Sequence, residues 1–241
     1  MKKVVIYGAG GLGQLVLDIL LQSGRVEPVA FLDSDPARRG STFEGLPVRG
    51  GIDRVATLRS EGIRGAVVAI GIPRVRVGVA EALAARGLTL ESAIHPLATI
   101  APSARLGRHV IVGARALVCV HAVVGDHGVI LSGSIVEHDN RLGTGVFLQP
   151  AVRLAGGVRI GEFARLGIGA CVIPYRQVGA GARVNPGAVV IRDVLPGQRV
   201  GGVPATGILP EHDHLLADAP PTTRFPFAAH TVDAATTGIA T

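Results

Sequence analysis

A chain of 241 residues, 48% hydrophobic and only 17% charged, is long enough for one large domain or two smaller ones, each with a real core. Its net charge of +6 suits anionic ligands, but the arginines are scattered rather than run together, which argues against nucleic acid and leaves a phosphate-bearing small molecule. With 34 glycines, 3% aromatics and no Trp, the interior must be built from aliphatic and small side chains, as in a solenoid.

Residues 4–7 read as a short buried strand, and Gly8-Ala9-Gly10-Gly11-Leu12-Gly13 follows at once. Leu12, Leu15, Val16, Ile19 and Leu20 then recur at helical spacing, so a helix starts inside the glycine loop. A second strand over 29–33 completes a βαβ unit whose G-x-G-x-x-G turn and Asp33, twenty residues beyond Gly13, form a dinucleotide-binding fingerprint. A short helix over 53–61, a strand over 66–70, a helix over 74–86 and an exit over 88–93 finish the α/β region near residue 90, about half a dinucleotide fold. Half a fold suits a nucleoside diphosphate resting on the helix N-terminus through Gly8, Gly10, Gly11 and Gly13, with Asp33 beside it; the plainer alternative is a tight strand-to-helix turn. The apolar run after Lys2 and Lys3 is too short for a signal peptide, and no stretch is long enough for a membrane span.

From Ile94 to Val190 an aliphatic residue falls on every sixth position, seventeen times in a row. A six-residue period belongs to parallel β-helices. Four places after each aliphatic the chain is again restricted, mostly to Ala and Val, so each hexad points one large and one small residue inward. Three hexads then make one triangular turn of eighteen residues, with neighbouring turns about 4.8 Å apart. Gly128, Asn140 and Arg176 break the small-residue pattern; the charge of Arg176 predicts a local distortion near Pro174 and Tyr175 that turns it outward. Residues 196–205 read as a cap, and 206–241 as a loosely ordered tail without chemistry.

Two cysteines, Cys119 and Cys171, occupy different phases of the repeat, which predicts no disulfide and a reducing, cytoplasmic location. His109 and His127 lie one turn apart, and His121 one turn from Asp139; these lack the further ligands of a zinc site, so an exposed histidine ladder and no metal are expected. His138, flanked by Glu137 and Asp139, takes the third place of its hexad, an outward position. Its neighbours one turn away are Val120 and Gly156. A neutral imidazole there can take a proton from an attacking amine or hydroxyl.

Several segments together resemble one family: the glycine loop, Ile94-His95-Pro96, Ile135-Val136-Glu137-His138-Asp139, Leu154-Ala155-Gly156-Gly157-Val158-Arg159-Ile160-Gly161 and Gly202-Val203-Pro204-Ala205. The chain resembles the hexapeptide-repeat acyltransferases, within them the sialic-acid O-acetyltransferase and bacillosamine-pathway sugar N-acetyltransferase group. The resemblance implies a Rossmann-like nucleotide-sugar-binding domain over 1–90 and a left-handed β-helix acyltransferase domain over 91–205. It further implies a homotrimer with active sites between coils, and acetyl-CoA lying along the solenoid. In its terms His138 is the general base, Asp139 the preferred orienting acid over Glu137, and Gly156 and Gly157 candidate oxyanion donors beside free space for the thioester. Phe147 and Ile168 mark the remaining acyl-donor contacts.

The chain departs from the family where relatives carry histidines, at Leu12 and near Phe147, where they often carry cysteine, at Asn140, and at Ile72-Pro73 in the sugar-nucleotide region. The function expected is acetyl transfer to the amine of a nucleotide-linked amino sugar. Sugar O-acetylation is the near alternative, a catalytically silent trimeric sugar-nucleotide-binding protein a further one, and an NAD-dependent enzyme with a solenoid appendage the last.

Overall fold

Strand β1 (Lys3–Tyr7) turns Val4 and Ile6 to one side and Val5 and Tyr7 to the other, and both sides are buried, so the sheet it nucleates is covered on both faces. The chain is seen here in a computed structural model that describes residues Met1–Ile208. Helix α1 (Gly11–Ser23) covers the Val4 face and ends where Gly24, at a left-handed φ of 60°, donates its N–H to the Leu20 carbonyl. β2 (Glu27–Leu32) follows, then a hairpin of β3 (Thr42–Phe43) and β4 (Leu46–Pro47), an element the sequence pattern did not announce, which lays Phe43 edge-on against Phe31. The helix expected over 53–61 is a 3-10 turn running into α2 (Val55–Ser60).

β5 (Gly65–Val68) leads to α3 (Pro73–Ala85), whose first residue is a proline, tolerated because the N–H it lacks would have had no partner in the helix. β6 (Thr89–Leu90) adds a fourth strand in the segment read as a mere exit. The sheet is parallel in the order β2-β1-β5-β6. Helix α1 covers one face while α2 and α3 cover the other, so the strand order reverses beside β1, and the carboxyl ends of β1 and β5 border the crevice in which such sheets bind ligands.

From Ala93 onward a two-residue strand closes on each ruler position, and each pairs in parallel with the strand eighteen residues away. Three sheets result, stacking Ile94, Val112 and Ile130 on one face, Ile100, Val118 and Val136 on the second, and Leu106, Val124 and Leu142 on the third. The ruler residues and the small residues four places on form one continuous buried cluster along the axis. Each fully buried aliphatic contributes roughly 1.5–3 kcal/mol of transfer free energy, and adjacent turns supply nearly all of its neighbours.

The distortion expected at Pro174 and Tyr175 is displaced by one turn. Arg159 still pairs with Gln177 and Ile160 with Val178, but Val178 then bridges to Val194 and Val184 pairs with Val200, so the last turn is two residues short. That shortened corner lets Arg176 turn outward, its side chain 38% exposed and a terminal nitrogen 3.9 Å from an oxygen of Asp193. A guanidinium left in the apolar lumen would cost several kcal/mol, which the outward turn avoids. Beyond the cap, Thr206–Gly207 pairs antiparallel with Arg199–Gly201; the rest of the expected tail, from residue 209, lies outside the described residues.

The α/β region docks on the first face of the solenoid. The outward residues Ala93, Ile111, Val129 and Phe147 share a core with Val16, Leu17, Ile19 and Leu20 of α1 and with Val4 and Ile6 of β1. This docking corrects the reading of His109 and His127 as an exposed ladder. They are 1% and 6% exposed, because β5 and α3 close over them. No helix among the described residues is long and apolar enough to cross a membrane.

Candidate active site

The four glycines of the first loop divide into two kinds. A side chain at Gly13 would place its Cβ 2.0 Å from the Gly8 carbonyl oxygen, and one at Gly8 would meet the Ala69 carbonyl oxygen at 2.7 Å, so these two let β1, α1 and the loop after β5 touch. Gly10 and Gly11 face open space, and the N-terminus of α1 has no side-chain cap. Its first N–H groups are therefore offered to an outside acceptor, as an anion site requires.

Asp33 is turned into this loop: one carboxylate oxygen accepts the Ala9 N–H at 2.8 Å and the other the Asp35 N–H at 2.9 Å. Arg38, which sequence reasoning passed over, donates to the Ala9 carbonyl, so Ala9 is held from both sides. Burial and the nearby Asp33 carboxylate push the Tyr7 phenol above its ordinary pKa.

His138 lies on the corner between the second and third faces of the solenoid. Its Nδ1 is 2.8 Å from Oδ2 of Asp139, whose left-handed φ of 60° brings the carboxylate back beside the ring. An ionised carboxylate only accepts, so Nδ1 carries the proton and Nε2 keeps its lone pair. Glu137 makes no such contact with the ring among the described residues; burial first and this neighbouring carboxylate second push the Cys119 thiol, one turn back, above the ordinary thiol range. Of the two flanking acids, Asp139 alone orients the imidazole.

Gly156 is beside His138 as the eighteen-residue period requires, but the space over it is not free. The imidazole fills it: a Cβ on Gly156 would fall 2.4 Å from Nε2. Gly157 donates its N–H to the His138 carbonyl at 3.0 Å, which removes it as an oxyanion donor. The Gly156 N–H has no hydrogen-bond partner among the described residues. An oriented imidazole and an unpaired backbone donor are thus neighbours on one corner of the solenoid, the two kinds of group acyl transfer uses.

The other donor-contact candidates are dispersed. Phe147 is 5% exposed and enclosed by the α/β region, with the Arg76 guanidinium 5.4 Å from its ring, so it presents no face to a cofactor; docking of the α/β region is the reason. Ile168 is exposed on a different edge of the prism, between the first and second faces. Asn140 points into the lumen, where its Oδ1 accepts the Val158 N–H at 2.6 Å. Sequence reasoning missed Tyr175, 71% exposed, whose ring lies over Gly157 next to His138. The signal was available, since Tyr175 is one eighteen-residue turn from Gly157.

A family model described as the PglD N-terminal domain matches residues 3–83. Perosamine N-acetyltransferase from Caulobacter crescentus, solved in complex with CoA and GDP-perosamine, is 40% identical over 87% of this chain and 98% of that one, with a TM-score of 0.82. The acetyltransferase domain of PglB from Neisseria gonorrhoeae, in complex with acetyl coenzyme A, is 33% identical over 86% and 99% of the two chains, with a TM-score of 0.79. WeeI from Acinetobacter baumannii has the same fold at 24% identity and a TM-score of 0.79. No curated protein sequence matches the chain.

Proposed function

Because the chain belongs to the hexapeptide-repeat sugar acetyltransferases, we propose that it transfers the acetyl group of acetyl-CoA to the amine of a nucleotide-linked amino sugar, with His138 as general base. The observation that carries the reading is the His138 corner: a carboxylate-oriented imidazole whose Nε2 lies against Gly156, a residue whose backbone N–H has no partner among the described residues. Acetyl-CoA supplies the activated acyl group. Nε2 of His138 takes the proton as the sugar amine attacks the thioester carbon, and Asp139 favours the imidazolium that forms; the C–S bond then breaks and CoA leaves as the thiol, taking the proton back from the imidazolium. The Gly156 N–H donates to the acyl oxygen as negative charge grows on it, and such a donor typically accounts for about 10²- to 10³-fold in rate.

The acceptor's diphosphate rests on the open N–H groups at Gly10 and Gly11, with Asp33 holding the loop in shape. An amine acceptor is favoured over a hydroxyl because the 40% identical relative is a perosamine N-acetyltransferase crystallised with an amino-sugar nucleotide. Gly156 and Ile168 lie on different edges of one prism, so a donor touching both needs a second copy alongside. We therefore read the working form as a homotrimer in the cytoplasm, where the unpaired Cys119 and Cys171 stay reduced.

The test is release of the CoA thiol with GDP-perosamine and with uridine- and thymidine-diphosphate amino sugars, each product being identified by mass. Turnover with one of them is expected, with loss of at least 10²-fold in His138→Ala at unchanged oligomeric state. Full activity in that variant would remove His138 from the mechanism, and no turnover with any amino sugar would remove the acceptor class.

A further inference from the structure

Among the described residues Arg76 is the largest fully buried side chain, at 0% exposure, and no carboxylate pairs with it. A guanidinium withdrawn from water this completely needs other acceptors. Three carbonyls supply them. One terminal nitrogen donates to Ile70 at 3.0 Å, and the other to His127 and Gly145, both at 3.0 Å.

These acceptors come from two parts of the fold. Ile70 opens the loop between β5 and α3, while His127 and Gly145 are on adjacent turns of the solenoid. A second connection runs parallel to the first: Val68, the last residue of β5, donates its N–H to Nε2 of the buried His109 at 2.8 Å. With Nε2 accepting, the His109 proton is on Nδ1, which faces Nδ1 of His127 at 2.9 Å and donates to it. Both ring nitrogens of His109 are thereby engaged, and the end of β5 is tied to the solenoid at two points.

What is tied is the far wall of the acceptor crevice. Gly8 approaches the Ala69 carbonyl so closely that no side chain fits between them, and the Ile70 side chain lies in ordinary contact beside it. Gly71 faces open space, and Ile72, 46% exposed, lines the same edge. The glycine loop provides one side of the crevice through its own backbone. The other side, residues 69–73, has its position set from below by Arg76.

We infer that Arg76 is a positioning residue for the nucleotide-linked acceptor: by holding the Ile70 carbonyl against the His127 and Gly145 carbonyls, it fixes the loop that faces Gly8–Gly13 and sets affinity for the acceptor alone. The acyl-transfer corner at His138 and Gly156 belongs to a different edge of the solenoid and does not depend on this connection. The inference rests on the acceptor occupying the α/β crevice, as proposed above.

Two measurements on the full-length protein test it. Calorimetric titration with GDP and UDP, and separately with CoA, is to be run on the native protein, Arg76→Met and Arg76→Lys. The Met variant is expected to weaken the nucleotide that the native protein binds by at least tenfold while CoA affinity stays within twofold, and Lys, which can still donate to these carbonyls, recovers part of the loss. An equal loss for nucleotide and CoA, or none for either, overturns the inference. If the native protein binds neither nucleotide, thymidine diphosphate is titrated in the same way; binding of none of the three means that the acceptor reading itself has failed, and the positioning role is then decided by hydrogen exchange. Faster exchange in Arg76→Met confined to residues 69–73 supports it; unchanged or uniformly faster exchange overturns it. Should the Met variant fail to fold, Arg76→Lys carries both measurements.

Discussion

Replacing Gly156 with Ala separates catalysis from folding. The added methyl would lie 2.4 Å from Nε2 and 2.5 Å from Cε1 of His138, more than 1 Å inside normal van der Waals separation of about 3.5 Å. The backbone at Gly156 is not in the left-handed region, so alanine fits its conformation, and the shorter list of unfolded conformers offers about 0.4–1 kcal/mol in its favour. The ring must therefore yield, and it can, because the His138 side chain is 48% exposed. Swinging out breaks the 2.8 Å contact with Asp139 and carries Nε2 away from its place against Gly156. Loss of a positioned general base costs roughly 10²- to 10⁴-fold, so kcat should fall at least a hundredfold while the melting temperature moves by only a few degrees. Thiol release under saturating substrates and a thermal melt on the same preparation measure the two quantities. A kcat within threefold of the native value would refute the placement of the base over Gly156, and a collapse of both would show the glycine to be structural.

Three further outcomes follow from the same geometry. Burial, then His127 and Arg76, lowers the His109 pKa from 6.5 to about 3, so the folded protein keeps this ring neutral while the unfolded chain protonates it below 6.5. Its contribution is complete above pH 6.5 and is lost as pH falls toward 3; between pH 8 and pH 5 urea denaturation should show about 2 kcal/mol less stability, and His109→Gln should flatten that slope. Gly13→Ala, forced against the Gly8 carbonyl at 2.0 Å, should destabilise by about 2–4 kcal/mol, whereas Gly11→Ala, facing open space, should melt as the native protein does yet raise KM for the acceptor. Asn140→Ala leaves the buried Val158 N–H without its 2.6 Å acceptor and should cost about 1–3 kcal/mol, read by thermal or chemical denaturation.

The solenoid was legible from the hexad because its geometry is local: each residue meets the one eighteen places away, so a period in the chain is a period in space. That rule alone put His138 outward and Gly156 beside it, and βαβ patterning located β1, α1, β2, β5 and α3 to within a few residues. It could not reveal what occupies the outer surface. Whether the place above Gly156 holds a ligand or the imidazole depends on the His138 rotamer, and whether the Gly157 N–H is available depends on the His138 carbonyl.

The docking of the α/β region was invisible for a related reason. Val68 and His109 are 41 residues apart, Arg76 and Gly145 69 apart, and neither separation is a multiple of eighteen. A repeat fixes which side chains point out, but what covers them is chosen by the complementarity of two surfaces far apart in sequence. Hence Phe147, His109 and His127, outward by phase, are buried in fact, and Arg76, one of the scattered arginines of the chain, becomes the residue that joins its two halves.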